Sequence, residues 1–518
     1  MMDGKKRLGK ILRGHLGVAT ALVVAVLAFA PASRAQTKTP YGDVEGVEHS
    51  STFSYLGIPY AAAPVGANRF APPMPPAKWT KPLAARSFGP ACAQLDLVSK
   101  KMKGQEDCLT LNIWRPKLIS RPLPVLVFIH GGGNTIGSSA EEIFGKKLYD
   151  GTKLAEAGNI VVTLNYRLGP FGFLAHPALK TADGLQGNYA ILDQISALKF
   201  VKASVADFGG NPDQITVFGE SAGAINTLVL IASPLAQGLF QRAIIQSGFL
   251  SEVPLATAEP QAFAIASSAG CPNDANAAAC LRNLSTEKLL SAASKSSSAL
   301  LGIGSPTIDG YVLKTGILES IRSKRYNQVP VIIGTNRDEF RTLLSAVVKT
   351  GPLFSRIDYE NVLVNYFGRD KSEAILAEYP SDRYATPKRA LEEVLNDHMS
   401  HCPARAVSRA LIEAGTPAYR YVFTHTGDNP FYAPYGAGHA LELPFVFGTL
   451  GFDRSLREYD FSRTVRSYWS AFAASGNPLV KDQPLWPLAA DDTYLDLAPK
   501  SAAKTGFHNE KCDFWDAL

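Results

Sequence analysis

Between residues 125 and 250, short continuous apolar runs alternate with segments whose apolar residues recur at helical spacing. A strand that is apolar along its whole length is buried on both faces, which is typical of a parallel sheet covered by helices. We therefore predict an α/β fold with a mostly parallel central sheet and helices on both faces. The strand-like runs are 125–129, 160–164 and 215–218, and the helix-like segments are 189–201 and 222–231.

The rest of the chain predicts additions to this sheet rather than a second domain. Residues 331–333 and 419–423 have the composition of further strands. The stretch 260–330 is typical of helices and loops, and 340–415 is mostly helical in pattern. We therefore expect a single domain over residues 36–518.

The first 35 residues have the organisation of a secretory signal peptide. Basic residues between positions 5 and 13 precede an apolar run at 16–30, and small residues flank a cleavage site after Ala35. The alternative is a retained membrane anchor, but this run is 15 residues long, short of the ~20 that span a bilayer. We expect a secreted or periplasmic protein with no membrane contact after cleavage.

The distribution of charge argues against a nucleic-acid partner. The chain carries 52 basic and 46 acidic residues, a net charge of +6. Six of the basic residues and one acidic residue lie in the first 35 positions, so the remainder carries +1. A nearly neutral body lacks the basic surface that would neutralise the phosphates of a nucleic acid. The sequence also has no Cys-x-x-Cys pair or Cys/His cluster, so we predict no metal and no cofactor. No pattern specifies an oligomeric state.

The segment Gly219-Glu-Ser-Ala-Gly223 lies between a predicted strand and a predicted helix. This is the context of a nucleophile elbow, a sharp turn that exposes Ser221 above the sheet. Glycines are required because a Cβ would clash in the turn. The alternative is a tight strand-to-helix turn with an incidental serine.

A second glycine-rich segment, His130-Gly-Gly-Gly133, follows the strand at 125–129. Its backbone N–H groups, together with that of Ala222, can form an oxyanion hole. A phosphate-binding loop is the alternative, but neither G-x-x-x-x-G-K-[ST] nor G-x-G-x-x-G is present. His130 itself is predicted to be structural.

A serine nucleophile needs an acid and then a histidine later in the chain. Asp338 and Glu339 both follow the strand at 331–333, and the residues alone do not choose between them. His439 lies in a glycine-rich loop suited to bring an imidazole over the sheet edge. The histidines that follow the acid are His398, His401, His425, His439 and His508.

Six cysteines are consistent with disulfides in an oxidising compartment. They allow 15 pairings by counting alone. Closure of short loops favours Cys92–Cys108 and Cys271–Cys280, which leaves Cys402–Cys512 to hold the C-terminus.

From about residue 53 to 515, the chain resembles the type B carboxylesterases, the α/β-hydrolases that include the cholinesterases. The Ala-rich leader is typical of a bacterial secreted member. The matching segments include Glu106-Asp-Cys-Leu-Thr-Leu-Asn-Ile-Trp114, Asn165-Tyr-Arg-Leu-Gly169, Phe208-Gly-Gly-Asn-Pro212 through Gly223, and Gly476-Asn-Pro478.

The resemblance implies an α/β-hydrolase fold and a role for each site residue. Ser221 would be the nucleophile, His439 the general base and Glu339 the acid. Glu442 matches a family position that supports the base. The implied oxyanion donors are Gly132, Gly133 and Ala222, and the three disulfides match the cholinesterase pattern. Arg69–Glu106 and Arg167–Asp193 match the buried ion pairs of the family.

Two departures from the family pattern bear on function. Phe340 stands where the family usually has glycine after the acid, which could reshape the loop that carries Glu339. The loop between Cys92 and Cys108 lacks an aromatic residue, so no cation–π site for choline is expected there. It carries Lys100, Lys101 and Lys103 instead.

These observations predict a serine hydrolase that cleaves small-molecule carboxylic esters through an acyl-enzyme intermediate. Two alternatives remain open at this point. The same residues could cleave a lactone or an amide, or the chain could be a non-catalytic adhesion or binding relative, since fold alone does not fix function.

Overall fold

An eleven-stranded sheet forms the centre of the protein in a computed structural model that describes residues 35–143, 145–296, 304–347 and 354–518. Its order is β11-β10-β9-β8-β7-β6-β4-β5-β3-β2-β1. Within β4 to β10, every pair of neighbouring strands is parallel. The pairs β1–β2, β2–β3, β3–β5 and β10–β11 are antiparallel. The strands are β1 (Val47–Glu48), β2 (Thr52–Pro59), β3 (Thr110–Pro116), β4 (Leu123–Ile129), β5 (Ile160–Leu164), β6 (Gly210–Glu220), β7 (Arg242–Gln246), β8 (Val331–Asn336), β9 (Ala418–Phe423), β10 (Thr493–Leu497) and β11 (Ala502–Thr505).

Helices cover both faces of this sheet, and five short pairings lie outside it. The helices are α1 (Thr152–Glu156), α2 (Gly169–Phe173), α3 (Tyr189–Ser204), α4 (Ala222–Ala232), α5 (Leu255–Ser268), α6 (Ala277–Asn283), α7 (Thr286–Ser296), α8 (Ile317–Arg322), α9 (Glu339–Val347), α10 (Arg356–Phe367), α11 (Arg369–Glu378), α12 (Pro387–Asn396), α13 (Cys402–Glu413), α14 (Leu443–Phe447), α15 (Leu456–Ser475) and α16 (Asn509–Ala517), with a π-helical segment at Asp397–His401. The short strands are Gln36–Thr39 with Gly42–Glu45, which also pairs with Leu83–Ala84; Gln94–Leu95 with Met102–Lys103; Glu142–Ile143 with Lys146–Lys147; and Val253–Pro254 with Thr307–Ile308.

Alternate side chains of the central strands enter two separate hydrophobic cores. In β4, Val125, Val127 and Ile129 pack into one core, and Leu126 and Phe128 pack into the other. Successive residues of a strand point to opposite faces, so an uninterrupted apolar strand is what a sheet covered on both sides requires. The predicted α/β-hydrolase architecture is confirmed.

The helical stretch after β8 has a core of its own. Apolar residues of α9 to α12 pack together with those of α16, and Phe340 lies in this third core. The stretch is helical, as its periodicity predicts, and it packs beside the carboxyl end of the sheet strand that precedes it. Ala35–Leu518 form one compact unit. The predicted signal peptide lies outside the described residues, except for Ala35.

The three disulfides expected from the sequence are present. Cys92 is bonded to Cys108, Cys271 to Cys280, and Cys402 to Cys512. Such bonds persist in an oxidising compartment. Within the described ranges, no helix is both long and apolar enough to cross a membrane.

Candidate active site

Ser221 occupies a sharp turn between β6 and α4. Its backbone has φ 56° and ψ −125°, a conformation that a non-glycine residue adopts only when its surroundings enforce it. A Cβ at Gly219 would lie 2.3 Å from the backbone of Gly223, and a Cβ at Gly223 would lie 2.0 Å from the carbonyl oxygen of Ile129. The glycines on either side of Ser221 are therefore a steric requirement, as the motif predicts.

The glycine loop after β4 lies directly against this turn. A Cβ at Gly131 would come within 2.9 Å of the Ser221 Cβ. Gly132 and Gly133 have φ values of 104° and 60°, which bring the chain close to the serine without side chains between them. Among the residues that the structure describes, the backbone N–H groups of Gly132, Gly133 and Ala222 donate to no other group. They are available to a ligand oxygen.

Glu339 and His439 meet above the carboxyl ends of the sheet. Glu339 begins α9, three residues after β8 ends at Asn336. Its Oε2 lies 2.5 Å from Nδ1 of His439, and its Oε1 accepts a 2.7 Å hydrogen bond from the backbone N–H of Asn336. The carboxylate is thereby fixed in one orientation toward the imidazole.

Asp338, the other acid that the sequence left open, points elsewhere. Its carboxylate pairs with Arg337 at 2.8 Å and with Arg341 at 2.9 Å, and it accepts a hydrogen bond from the backbone of Ala437. Phe340 does not displace Glu339 from His439, because its side chain is buried in the third core and its N–H is bonded to Asn396.

The side chains of the other four histidines that follow the acid have partners outside the elbow. His425 lies 3.0 Å from Glu458, and His508 lies 2.6 Å from Asp397. His401 is bonded to Thr335, and His398 packs among aromatic rings. His130 stacks on Tyr166 and contacts its neighbouring carbonyl group. The imidazole of His439, by contrast, contacts a residue of the elbow.

That contact is made by Glu220, a residue that the sequence reasoning did not single out. Nε2 of His439 lies 3.1 Å from Oε1 of Glu220, the residue before Ser221, although the two do not have hydrogen-bond geometry. The Ser221 hydroxyl makes no hydrogen bond to a described residue. In enzymes without bound substrate, hydrogen bonds between catalytic groups are often long or poorly aligned. The signal for Glu220 was a charged residue inside the elbow motif, just after the strand-like run 215–218.

Three buried carboxyl groups surround the imidazole and change its proton affinity. Burial alone lowers the pKa of His439, but the charges of Glu220 and Glu339 outweigh it and raise the pKa to about 10. Burial raises the pKa of Glu220 to about 8, and burial also raises that of Glu442. Burial also acts to raise the pKa of Glu339, but the interaction with His439 prevails and lowers it. The charges of these groups therefore shift one another's pKa.

Glu442 is held in the second layer of this cluster. Its two carboxylate oxygens accept hydrogen bonds from Gln246 and Asn336, at 3.0 and 2.6 Å. Asn336 also donates to the carbonyl oxygen of Gly438, next to His439. Asn336 thus links Glu339, Glu442 and the loop that carries His439.

One group of residues within the described ranges has side chains close enough to share a metal ion. Its members are Glu393, Asp397 and His508. The Asp397 oxygens already pair with His508 and, at 2.9 Å, with the hydroxyl of Tyr379. The group includes none of the residues around Ser221.

The ion pairs that the family resemblance implied are buried. Arg69 donates to Glu106 from its Nε at 2.8 Å. Arg167 makes two hydrogen bonds of 2.7 and 2.8 Å to Asp193. Paired in this way, these charges serve the packing around α2 and α3 rather than the chemistry at Ser221.

A sequence model described as the carboxylesterase family matches residues 33–515. The chain belongs to this family. It is 36% identical to the para-nitrobenzyl esterase of Bacillus subtilis (strain 168), over 88% of this chain and 92% of that protein. It is 34% identical to the fumonisin B1 esterase of Sphingopyxis macrogoltabida, over 90% and 87% respectively.

Solved structures lead to the same family. A structure of PNB esterase, 34% identical, matches with a TM-score of 0.80 and covers 92% of this chain and 99% of that one. Rat carboxylesterase 1C is 34% identical over 90% of the chain. The predicted family is therefore confirmed, and this carboxylesterase is a carboxylic ester hydrolase.

Proposed function

We propose that this carboxylesterase cleaves small-molecule esters through an acyl-enzyme intermediate on Ser221, with His439 as general base and Glu339 as its acid partner. The observation that carries the proposal is the convergence of three elements: the strained Ser221 turn, the Gly131–Gly133 loop against it, and His439 bonded to Glu339. Nucleic acid is not a proposed partner, because the body of the chain is nearly neutral.

The first half of the reaction forms the acyl-enzyme. Ser221 Oγ attacks the ester carbonyl carbon while its proton passes to Nε2 of His439. The carbonyl oxygen becomes an oxyanion, which the N–H groups of Gly132, Gly133 and Ala222 stabilise at the N-terminus of α4. When the tetrahedral intermediate collapses, His439 returns the proton to the departing alcohol.

The second half repeats these steps with water as the nucleophile. His439 takes a proton from water, the resulting oxygen attacks the acyl carbon, and the bond to Ser221 Oγ breaks. The serine regains its proton and the carboxylic acid leaves. Throughout both halves, Glu339 accepts a hydrogen bond from Nδ1–H of His439, which keeps Nε2 free to accept the proton.

Replacement of Ser221 tests this proposal. Ser221→Ala should lower kcat for a p-nitrophenyl ester by ~10⁴-fold or more, because the covalent intermediate can no longer form. Ser233→Ala is a matched control, since Ser233 is a buried serine at the other end of α4. Ester hydrolysis by Ser221→Ala within tenfold of the parent would remove Ser221 from the mechanism.

We further propose that the protein is secreted or periplasmic after cleavage behind Ala35. The basic and apolar organisation of the first 35 residues and the three disulfides support this. N-terminal sequencing of the mature protein from its native host should begin at Gln36. A retained Met1 in protein recovered from the cytoplasm would contradict the proposal.

A further inference from the structure

Asn134 directly follows the glycine loop and has the hydrogen-bonding capacity of its side chain filled. Its amide nitrogen donates to Oδ1 of Asn226 at 3.2 Å and to the carbonyl oxygen of Gly304 at 2.7 Å. Its amide oxygen accepts from Nδ2 of Asn226 at 2.8 Å, and it shares the single proton of the Tyr166 hydroxyl, at 3.2 Å, with the carbonyl oxygen of His130, at 2.7 Å. Two donors and two acceptor positions are all that an asparagine side chain has.

The main chain of Asn134 is held with equal firmness. Its φ of 56° is left-handed, and its carbonyl oxygen accepts a 2.7 Å hydrogen bond from Gly169. Asn134 and Asn226 are 1% and 0% exposed. Each polar atom of the two side-chain amides has a partner. A displacement of either amide would leave a polar group unpaired away from water, which favours one arrangement.

The reciprocal amide pair joins the two elements that supply the proposed oxyanion donors. Gly132 and Gly133 lie just before Asn134 in the glycine loop. Ala222 begins α4, and Asn226 lies four residues later, one turn along the same helix. The contact thus connects the loop donors to the helix donor across 92 residues of sequence.

We propose that Asn134 and Asn226 are positioning residues that set the distance between the two halves of the oxyanion hole. The inference rests on the proposed function, since it concerns the hole that serves Ser221. Neither asparagine touches the ester. Their amide pair keeps the N–H groups of Gly132 and Gly133 aligned with that of Ala222 when negative charge develops on the carbonyl oxygen. The pair therefore acts on the transition state more than on substrate binding.

Leucine substitutions test this pair, because leucine has a similar volume and no polar atom. Loss of one oxyanion donor costs about 10²–10³ in kcat, and a misplaced donor should cost less. Asn134→Leu and Asn226→Leu should each lower kcat by ~10–100-fold with KM within ~3-fold of the parent. The inhibition constant of a trifluoromethyl ketone, which forms a tetrahedral adduct with a serine, should rise in parallel with the loss of kcat.

The double variant tests whether the two residues act together. If they do, Asn134→Leu/Asn226→Leu should lose no more activity than the worse single variant, since either change already breaks the pair. Losses that multiply would overturn the pairing. Should the leucine variants fail to fold, Asn134→Ser and Asn226→Ser provide the same comparison with smaller side chains.

Asn159→Leu is the control for lost stability. Asn159 is also buried and donates two hydrogen bonds, but it directly precedes the amino end of β5, whereas Ser221 follows the carboxyl end of β6. This variant should lower the melting temperature while kcat per active site, counted by fluorophosphonate titration, stays within twofold of the parent.

The same titration separates the two proposals. A parent enzyme that takes up no fluorophosphonate would refute the serine mechanism itself. If the parent is labelled, and Asn134→Leu and Asn226→Leu both keep kcat per labelled site and inhibitor affinity within twofold of the parent, only the positioning role is refuted.

Discussion

The two halves of the active site are built in different ways. The half that holds Ser221 and the glycine loop is shaped by backbone geometry: a strained turn, three consecutive glycines and a helix N-terminus. The half that holds Glu339 and His439 is shaped by side chains from distant segments, and its buried carboxyl groups set one another's pKa. Local sequence therefore specifies the backbone shape of each element in the first half, whereas the tertiary fold specifies the second half.

The largest effect expected in the second half comes from the acid. Glu339→Gln should lower kcat by ~10⁴-fold, because glutamine neither fixes the tautomer of His439 nor stabilises the imidazolium. Asp338→Asn should cost far less, since Asp338 pairs with Arg337 and Arg341 rather than with the imidazole. Steady-state kinetics of both variants, with melting temperatures to check folding, decide the matter. A reversed ranking would move the role of acid to Asp338.

The choice between these two acids shows where sequence reasoning ends. Both lie within three residues of the end of β8, so strand and motif alone could not separate them. The structure separates them because α9 begins at Glu339 and its carboxylate turns toward His439. By contrast, the turn at Ser221 was predictable. Its glycines are required because a Cβ would clash within one strand–helix unit or with the strand beside it.

Glu220 and the Asn134–Asn226 pair escaped sequence reasoning for a related reason. The role of Glu220 depends on where the loop of His439 lies, more than 200 residues later in the chain. The asparagine pair follows no periodicity or motif. Contacts between remote polar side chains are fixed by packing and leave no local pattern in a single sequence.

The next largest effect should appear in the pH profile. A base must be unprotonated to act, so a raised pKa of His439 makes activity fall at a higher pH than the ordinary histidine value of ~6.5. Burial acts against this shift, and Glu220 is the strongest charge in its favour. Glu220→Gln should therefore move the acid limb of kcat/KM to lower pH, by ~1–3 units.

Glu442→Gln is the matched control for the pH experiment. Glu442 is also buried and raises the pKa of His439, but it is a weaker contributor than Glu220 or Glu339. In Glu442→Gln, the acid limb of kcat/KM should move to lower pH by a smaller amount than in Glu220→Gln. An acid limb that stays in place in Glu220→Gln would show that the half-site around His439 is not coupled by charge.

The smallest expected effect lies in the loop closed by Cys92 and Cys108. Gln94 ties this loop to the segment that follows the glycine loop, through both the N–H and the carbonyl oxygen of Gly137. Its three lysines, Lys100, Lys101 and Lys103, are exposed, so they should act on substrate encounter and be screened over ~10 Å at 0.1 M salt.

A matched pair of esters tests the effect of these lysines. One ester is neutral, and the other has a carboxylate far from the scissile bond. Replacing the three lysines by glutamine should lower kcat/KM for the anionic ester alone, and salt should remove the difference. Equal changes for both esters would leave the lysines as plain surface. Choline esters should show no advantage over neutral esters of similar size, since the loop offers no aromatic ring for a cation.

The central claim, that backbone geometry has selected one serine as the nucleophile, is tested most directly by peptide mapping after fluorophosphonate labelling. Intact-mass analysis should show one label per chain, and fragmentation should place it on Ser221. Glu339→Gln should be labelled at the same residue, more slowly. A label on any other residue, or labelling of Ser221→Ala to the same extent as the parent, would contradict the account.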